Sequence, residues 1–254
     1  MALQLSTESW IHIFNYLETS SDLYSCLLVN RCWCKIIVQI LWKRPFSHIP
    51  TDKKYHLILK TYLKCLSKQS IEKLKEGGIK SVIFNEKPMF YYIEFLKELI
   101  IDSDRFDSSL ILLIKEIKNE EKNKKKKFQN IFKELDIIFE ELTKLICYNS
   151  NKIQSLSIVP CKMIDYIIPL LLKEDNNNFF KRIKTFTFET SPDLNGLDKV
   201  HKPHEMIVAL SRASRDITHI RINNINETFK FGGDLNFLLT LLESASNSLV
   251  LSKF

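Results

Sequence analysis

Three six-residue phrases in the second half of the chain constrain its fold more than any other feature. "IQSLSI" (Ile153, Leu156, Ile158), "IKTFTF" (Ile183, Phe186, Phe188) and "ITHIRI" (Ile217, Ile220, Ile222) share one pattern: apolar, two variable, apolar, one variable, apolar. They start 30 and 34 residues apart. Alternation of the last two apolar places suits a strand with one buried face. Helical spacing marks the stretches after each phrase, Met163 to Leu172, Glu205 to Ala213 and Leu235 to Ala245, and a further helix, about Phe128 to Tyr148, precedes the first. A strand and a helix repeated in this way is the plan of a solenoid, where each unit buries its face against its neighbours. An earlier phrase, "IKSVIF" (Ile79, Val82, Phe84), fits the pattern but not the spacing.

The unit resembles a leucine-rich repeat, although its spacing exceeds the usual ~20–29 residues. The insertions "KEDNNNFFKR" and "SPDLNGLDKVHKP" account for the excess, and the asparagine ladder position is not cleanly present. The alternative is an unrelated α/β domain whose strands look alike. The chain stops at "NSLVLSKF", where the next phrase would start, with no polar terminal cap of the kind solenoids need. It therefore reads as a fragment or as a short member of its family.

The first 42 residues have a different texture. Trp10, Ile13, Phe14 and Leu17 fall at i, i+3, i+4 and i+7, the stripe of a helix. A second helix carries Leu23, Leu27 and Leu28, with Ser20 or Ser21 as its expected cap. A third carries Trp33, Ile36, Ile37, Ile40 and Leu41 behind Asn30. Pro45 and Pro50 end the module. Helical spacing resumes from Leu57 to Leu74, until Gly77 and Gly78 break it. "FNEKPMFYYIEFLKELII" reads as a loop leading into an apolar helix around Tyr91 to Ile101, and Leu110 to Ile117 adds another. About forty residues cannot bury a full core alone, so apolar helices in so small a unit should dock on a partner. Large aromatic anchors are what interface hot spots use.

Composition narrows the function classes. Lys, Glu or Asp interrupts every apolar run, so no membrane span is expected. No positively charged segment precedes an apolar stretch at the N-terminus, which argues against a secretory signal. Cys26, Cys32, Cys34, Cys65, Cys147 and Cys161 contain no CxxC, so reduced thiols in the cytosol or nucleus are expected. The net charge is +7, and the run "KNKKKK" from Lys122 to Lys127 supplies much of it. Such a run could serve nuclear import or nucleic-acid binding. No aromatic residues alternate with the lysines to stack on bases, so a solvated loop or helix end is the preferred reading and nucleic acid is disfavoured.

Catalytic chemistry finds no support. His12, His48, His56, His201, His204 and His219 form neither HxxxH nor HExxH, and His201 and His204 read as a surface loop. Cys32 and Cys34, two apart on a helix, point to different faces. Cys161 has no neighbouring base to activate it, so it reads as a small buried hydrophobe. Gly232 and Gly233 before Asp234 read as a turn and helix cap, and no phosphate-cradling glycine motif is present. Glu120 and Glu121, like Glu140 and Glu141, read as neighbours on helix surfaces. No cofactor and no metal is expected.

"LSTESWIHIFNYL…SDLYSCLLVNRCWCKIIVQILW" resembles the F-box motif. The family's places are held by Leu5, Glu8, Ile13, Phe14 and Leu17, then Asp22, Leu23, Val29, Arg31, Trp33, Leu41 and Trp42. Ser6 departs from the usual proline and, like Thr7, could cap the helix instead. The resemblance covers about one sixth of the chain, and its order and spacing make it fairly specific. It implies a three-helix module that binds the Skp-type adaptor of a Skp–cullin–F-box ubiquitin ligase, followed by a region that recruits an unidentified target protein. The adaptor-binding residues it points to are Leu5, Ser6, Glu8, Ile13, Phe14, Leu17, Leu23, Val29 and Trp33. Of these, Leu5, Phe14, Leu17 and Leu23 are expected to face the adaptor at least in part, and Trp33 is divided between core and interface.

The expected fold class is α/β: an F-box over residues 1–46, a mostly helical linker over 47–127, and a short strand–helix, leucine-rich-repeat-like solenoid over 128–254. Such a chain catalyses nothing itself. It holds a target near the charged conjugating enzyme and raises the effective concentration of the acceptor lysine. Two other readings remain: an F-box scaffold with no ligase role, and a basic nucleic-acid binder resting on the lysine run.

Overall fold

The computed structural model describes residues 5–17, 19–47, 52–79, 84, 86–120, 131–150, 152–158, 180–189, 218–223 and 250–252. Three short helices open the chain: α1 (Thr7–Asn15), α2 (Ser20–Leu27) and α3 (Arg31–Leu41). Each starts at a residue in extended conformation whose side chain takes up an otherwise orphaned amide. Ser6 Oγ accepts from Ser9 N–H at 3.2 Å, and Asn30 Oδ1 accepts from Trp33 N–H at 2.9 Å. The cap of α2 is Thr19, not Ser20 or Ser21. Thr19 Oγ1 accepts from Asp22 N–H at 3.1 Å and donates to the Asp22 carboxylate at 2.7 Å, so Asp22 selects the residue three places before it.

The single long helix expected between Leu57 and Leu74 is two helices, α4 (Asp52–Leu63) and α5 (Lys68–Glu76). Ser67 caps the second by accepting from Ser70 N–H at 3.1 Å. α5 closes through Gly78 at φ +92°, with Ile79 N–H bonded back to Leu74 at 2.9 Å. Only a residue without a side chain takes that turn cheaply.

The helix expected around Tyr91 to Ile101 is instead a 3-10 turn (Tyr92–Phe95) followed by a strand, β1 (Glu98–Ile101). Two long helices follow, α6 (Ser103–Glu120) and α7 (Ile131–Asn149). Then come β2 (Ser155–Ile158), a second 3-10 turn (Phe180–Arg182), β3 (Thr185–Glu189), β4 (His219–Asn223) and β5 (Val250–Ser252). The helices expected at Met163–Leu172, Glu205–Ala213 and Leu235–Ala245, the lysine run, Cys161, His201, His204 and Gly232–Asp234 lie outside the described residues.

The strands form one parallel sheet in the order β1-β2-β3-β4-β5, with Glu98, Ser155, Thr185, His219 and Val250 in one row. All three phrases of the second half therefore become neighbouring strands. The first copy is "LKELII" (Leu96, Leu99, Ile101), not "IKSVIF", of which residues 80–83 lie outside the described residues. In the first two strands all three apolar places of the phrase are buried, and in β3 Ile183 and Phe186 are.

A second ladder runs just ahead of the strands. The carbonyl of Lys43 accepts from Lys97 and Glu98 N–H, that of Lys97 from Gln154 and Ser155, that of Gln154 from Lys184 and Thr185, and that of Lys184 from Thr218 and His219. All eight bonds are 2.8–3.1 Å long. Lys43, after the last turn of α3, thus stands where a strand residue would stand. Pro45, with no amide to donate, comes two residues later, in the place Leu99 holds in β1.

Two apolar clusters result. Phe14, Leu23, Ile36 and Ile37 form the smaller one, inside α1–α3. The larger runs from Phe46 to Phe186 and joins α4–α7 to β1–β3. Trp42 leans on the larger cluster, its ring 5.5 Å from Tyr62 and 4.3 Å from Tyr92.

Candidate protein-docking site

The three N-terminal helices bury one set of apolar side chains and leave another in solvent. Phe14 is 2% exposed and Leu23 8%. Trp10 stacks on Phe14 at 5.5 Å, and Trp33 meets Trp10 at 4.8 Å and Phe14 at 5.0 Å. These rings, with Leu17, Leu27 and Ile40 packed alongside, give the module its own small core. Phe14 and Leu23, expected to face the adaptor at least in part, are interior residues of the module in this chain. Leu17 and Trp33 are half-buried members of the same cluster.

The other apolar side chains face outward. Among the described residues, twelve large hydrophobics are exposed, and seven of them lie between Leu5 and Val29: Leu5, Ile11, Ile13, Tyr16, Tyr24, Leu28 and Val29. That concentration sets this module apart from the rest of the chain. Leu28 is 83% exposed and Tyr16 73%, and burying one such side chain is worth about 1.5–3 kcal/mol. Exposed apolar groups gathered on so small a unit mark a docking face. Ile11, Tyr16, Tyr24 and Leu28 are additions to the residues picked out by sequence. Tyr16 and Tyr24 fall outside the apolar stripes read from the sequence, and Leu28, read as part of the second helix's stripe, caps the end of α2 and is exposed.

Ser6 shows how the chain manages without proline at that place. Its φ of −65° is the angle a proline ring enforces. Its hydroxyl adds what proline lacks, an acceptor for Ser9 N–H. Glu8, in the first turn of α1, has its carboxyl held below the usual range by a backbone hydrogen bond and by the Ser6 hydroxyl.

A concavity of about 450 Å³ opens between α5 and α7, lined by Lys73, Tyr91, Glu141, Lys144 and Tyr148 among others. Glu141 is buried, not on a helix surface as expected. It accepts from Lys144 Nζ at 2.9 Å and Lys73 Nζ at 3.4 Å. Burial pushes its carboxyl up, but hydrogen bonds from Ser70 and Lys144 and the charges of both lysines outweigh that and leave it below the ordinary value. Each formal charge here has a partner, so the cluster reads as a structural pin between α5 and α7. Among the described residues, no group of three His, Cys, Asp or Glu side chains could hold a metal ion, and no helix is long and apolar enough to cross a membrane. The five described cysteines are free.

Three capped helices around an aromatic core, an outward apolar face and the residue order noted above all agree with comparison against known proteins. No curated protein and no solved structure matches the chain. The family model described as F-box-like matches residues 7–48, which span α1–α3 and the turn after them. Residues 7–48 are thus an F-box-like domain.

Proposed function

We propose that the chain is the target-binding subunit of a Skp–cullin–F-box ubiquitin ligase. F-box-like domains are in general non-catalytic modules that bind Skp-type adaptors. The observation that carries the reading is the gathering of exposed apolar side chains on α1, α2 and the turn after α2. The proposed adaptor contacts are Leu5, Ser6, Glu8, Ile13 and Val29 together with Tyr16, Tyr24 and Leu28, while Ile11, two residues from Ile13 on α1, lies on another side of that helix. Leu17 and Trp33 border this face, and Phe14 and Leu23 support it from within. Cullin joins through the adaptor, and the target is a protein held by the sheet region.

The division into an F-box over 1–46, a helical region over 47–127 and a repeat region over 128–254 belongs to the same proposal. The change from the smaller apolar cluster to the larger falls between Leu41 and Trp42, a few residues before its first boundary. The proposal extends to a short leucine-rich-repeat-like solenoid, supported by the parallel strands in sequence order and their repeated leading hydrogen bonds. A reducing compartment, cytosol or nucleus, suits the free thiols.

The test is co-purification of the full chain with a Skp-type adaptor. Leu28→Asp and Ile13→Asp, which put charges on exposed positions, should abolish it while circular dichroism stays unchanged. Phe14→Asp is a poor probe because a charge at that buried position breaks the small core. Wild type that fails to bind adaptor, or a Leu28→Asp, Ile13→Asp double variant that still binds, sinks the assignment. Recruitment of cullin to the complex then separates a ligase receptor from a scaffold.

A further inference from the structure

The edge along which the strands begin is mostly positive. Parallel register puts the residues leading into β1, β2 and β3 side by side with the turn after α3. Their carbonyls are consumed by the leading ladder, so what remains for recognition is side chains. Arg44, Lys97, Lys152, Lys181 and Lys184 are all exposed along this edge. Only Glu94 and Glu98 oppose them among the described residues of the same segments, and Glu98 lies 4.0 Å from Arg44.

We propose that this basic edge docks an extended, acidic segment of the target protein, a proposal that rests on the reading of the chain as a target receptor. Charge complementarity selects the partner, since six exposed cations, Arg182 among them, face two carboxylates. Spacing selects its form. Lys97 and Lys184 are two rungs apart, about 10 Å at ~4.8 Å per rung, and a chain extended in the polyproline II form covers about 9 Å in three residues at ~3.1 Å each and returns to the same face. Carboxylates at i and i+3 of such a segment therefore meet Lys97 and Lys184. At physiological salt the Debye length is about 8 Å, so neighbouring charges of the edge still act jointly. Nucleic acid is the poorer fit. No aromatic side chain stands at the rung positions Lys43, Lys97, Gln154, Lys184 and Thr218 to stack on a base.

The probe is a fluorescein-labelled peptide of twelve residues with Glu at every third place and Ser and Gly between, and its twin with Gln for Glu. Anisotropy is measured with the full chain, while adaptor co-purification is scored in parallel on the same samples. Binding should fall at least tenfold for the Gln peptide and for the Lys97→Gln, Lys184→Gln double variant. It should fall less than twofold when Lys124 to Lys127 are changed to Gln. Equal binding of both peptides, or full binding by the double variant, overturns the proposal. So does a twelve-nucleotide single strand that binds more tightly and displaces the peptide. Loss of adaptor binding with peptide binding intact would count against the ligase reading alone.

Discussion

The main-chain carbonyl of Lys43 accepts hydrogen bonds from the amides of Lys97 at 2.9 Å and Glu98 at 3.0 Å, fastening the end of the F-box to the first strand. The two lysines are 54 positions apart in sequence, yet the contact uses neither side chain. Trp42, one residue earlier, packs its ring on Tyr62 and Tyr92. Backbone and ring together tie the docking module to the sheet.

Because the joint is made by backbone, proline should weaken it where alanine does not. Lys97→Pro removes one of the two donors and should lower stability by about 1–2 kcal/mol in equilibrium urea unfolding. Lys43→Ala keeps the carbonyl and should stay within about 0.5 kcal/mol of wild type. A similar loss from both would mean that side chains hold the joint.

Ser6→Pro should be nearly neutral for folding. The φ at Ser6 already suits the ring, and lost freedom in the unfolded chain offsets a lost cap of about 1 kcal/mol. Thermal unfolding reads the stability, and adaptor titration reads the function. Under the proposed function the variant should bind adaptor more tightly, since proline adds apolar surface where serine has a hydroxyl. Weaker binding would show that the hydroxyl is itself used.

Glu141 sets an acid limit. Its folded-state carboxyl lies below the ordinary value, so its contribution is complete above the unfolded value of about 4.3 and is lost as pH falls through the lower folded one. Melting temperature should therefore drop below about pH 4. Glu141→Gln should flatten that part of the profile, and Glu140→Gln, at a more exposed carboxylate, should change it less. Identical profiles for the two variants would remove Glu141 from the account.

Thiol reactivity should report unfolding. Burial pushes the Cys147 thiol up to about 12, and Cys32 is exposed. Iodoacetamide at pH 8 should label Cys32 in the native chain and Cys147 only after denaturant is added, as read by peptide mass spectrometry. Early labelling of Cys147 would mean that α7 opens locally.

The F-box was legible because its signals are short-range: Ser6 and Asn30 cap helices within four residues of themselves, and the apolar stripes have helical period. What covers a stripe is not local, so sequence could not tell Phe14, which is interior, from Ile13, which is exposed. β1 was misread for a related reason. "IEFLKELII" has helical spacing within itself, and only pairing with Ser155–Ile158, over fifty residues away, makes Glu98–Ile101 a strand. Its phrase, Leu96-Leu99-Ile101, was present all along. The burial of Glu141 was hidden too, because one of its partners, Lys73, is 68 positions distant.

Seen from Lys43, the leading ladder is a ruler. Each rung adds about 4.8 Å, so under the proposed function a target resting on β3 would sit roughly 14 Å along the sheet from the F-box, and one resting on β4 roughly 19 Å. A lysine of that target would then be brought within reach or left short in steps of that size. Moving the contact by one strand would change which lysine is reached without altering any bond in the joint.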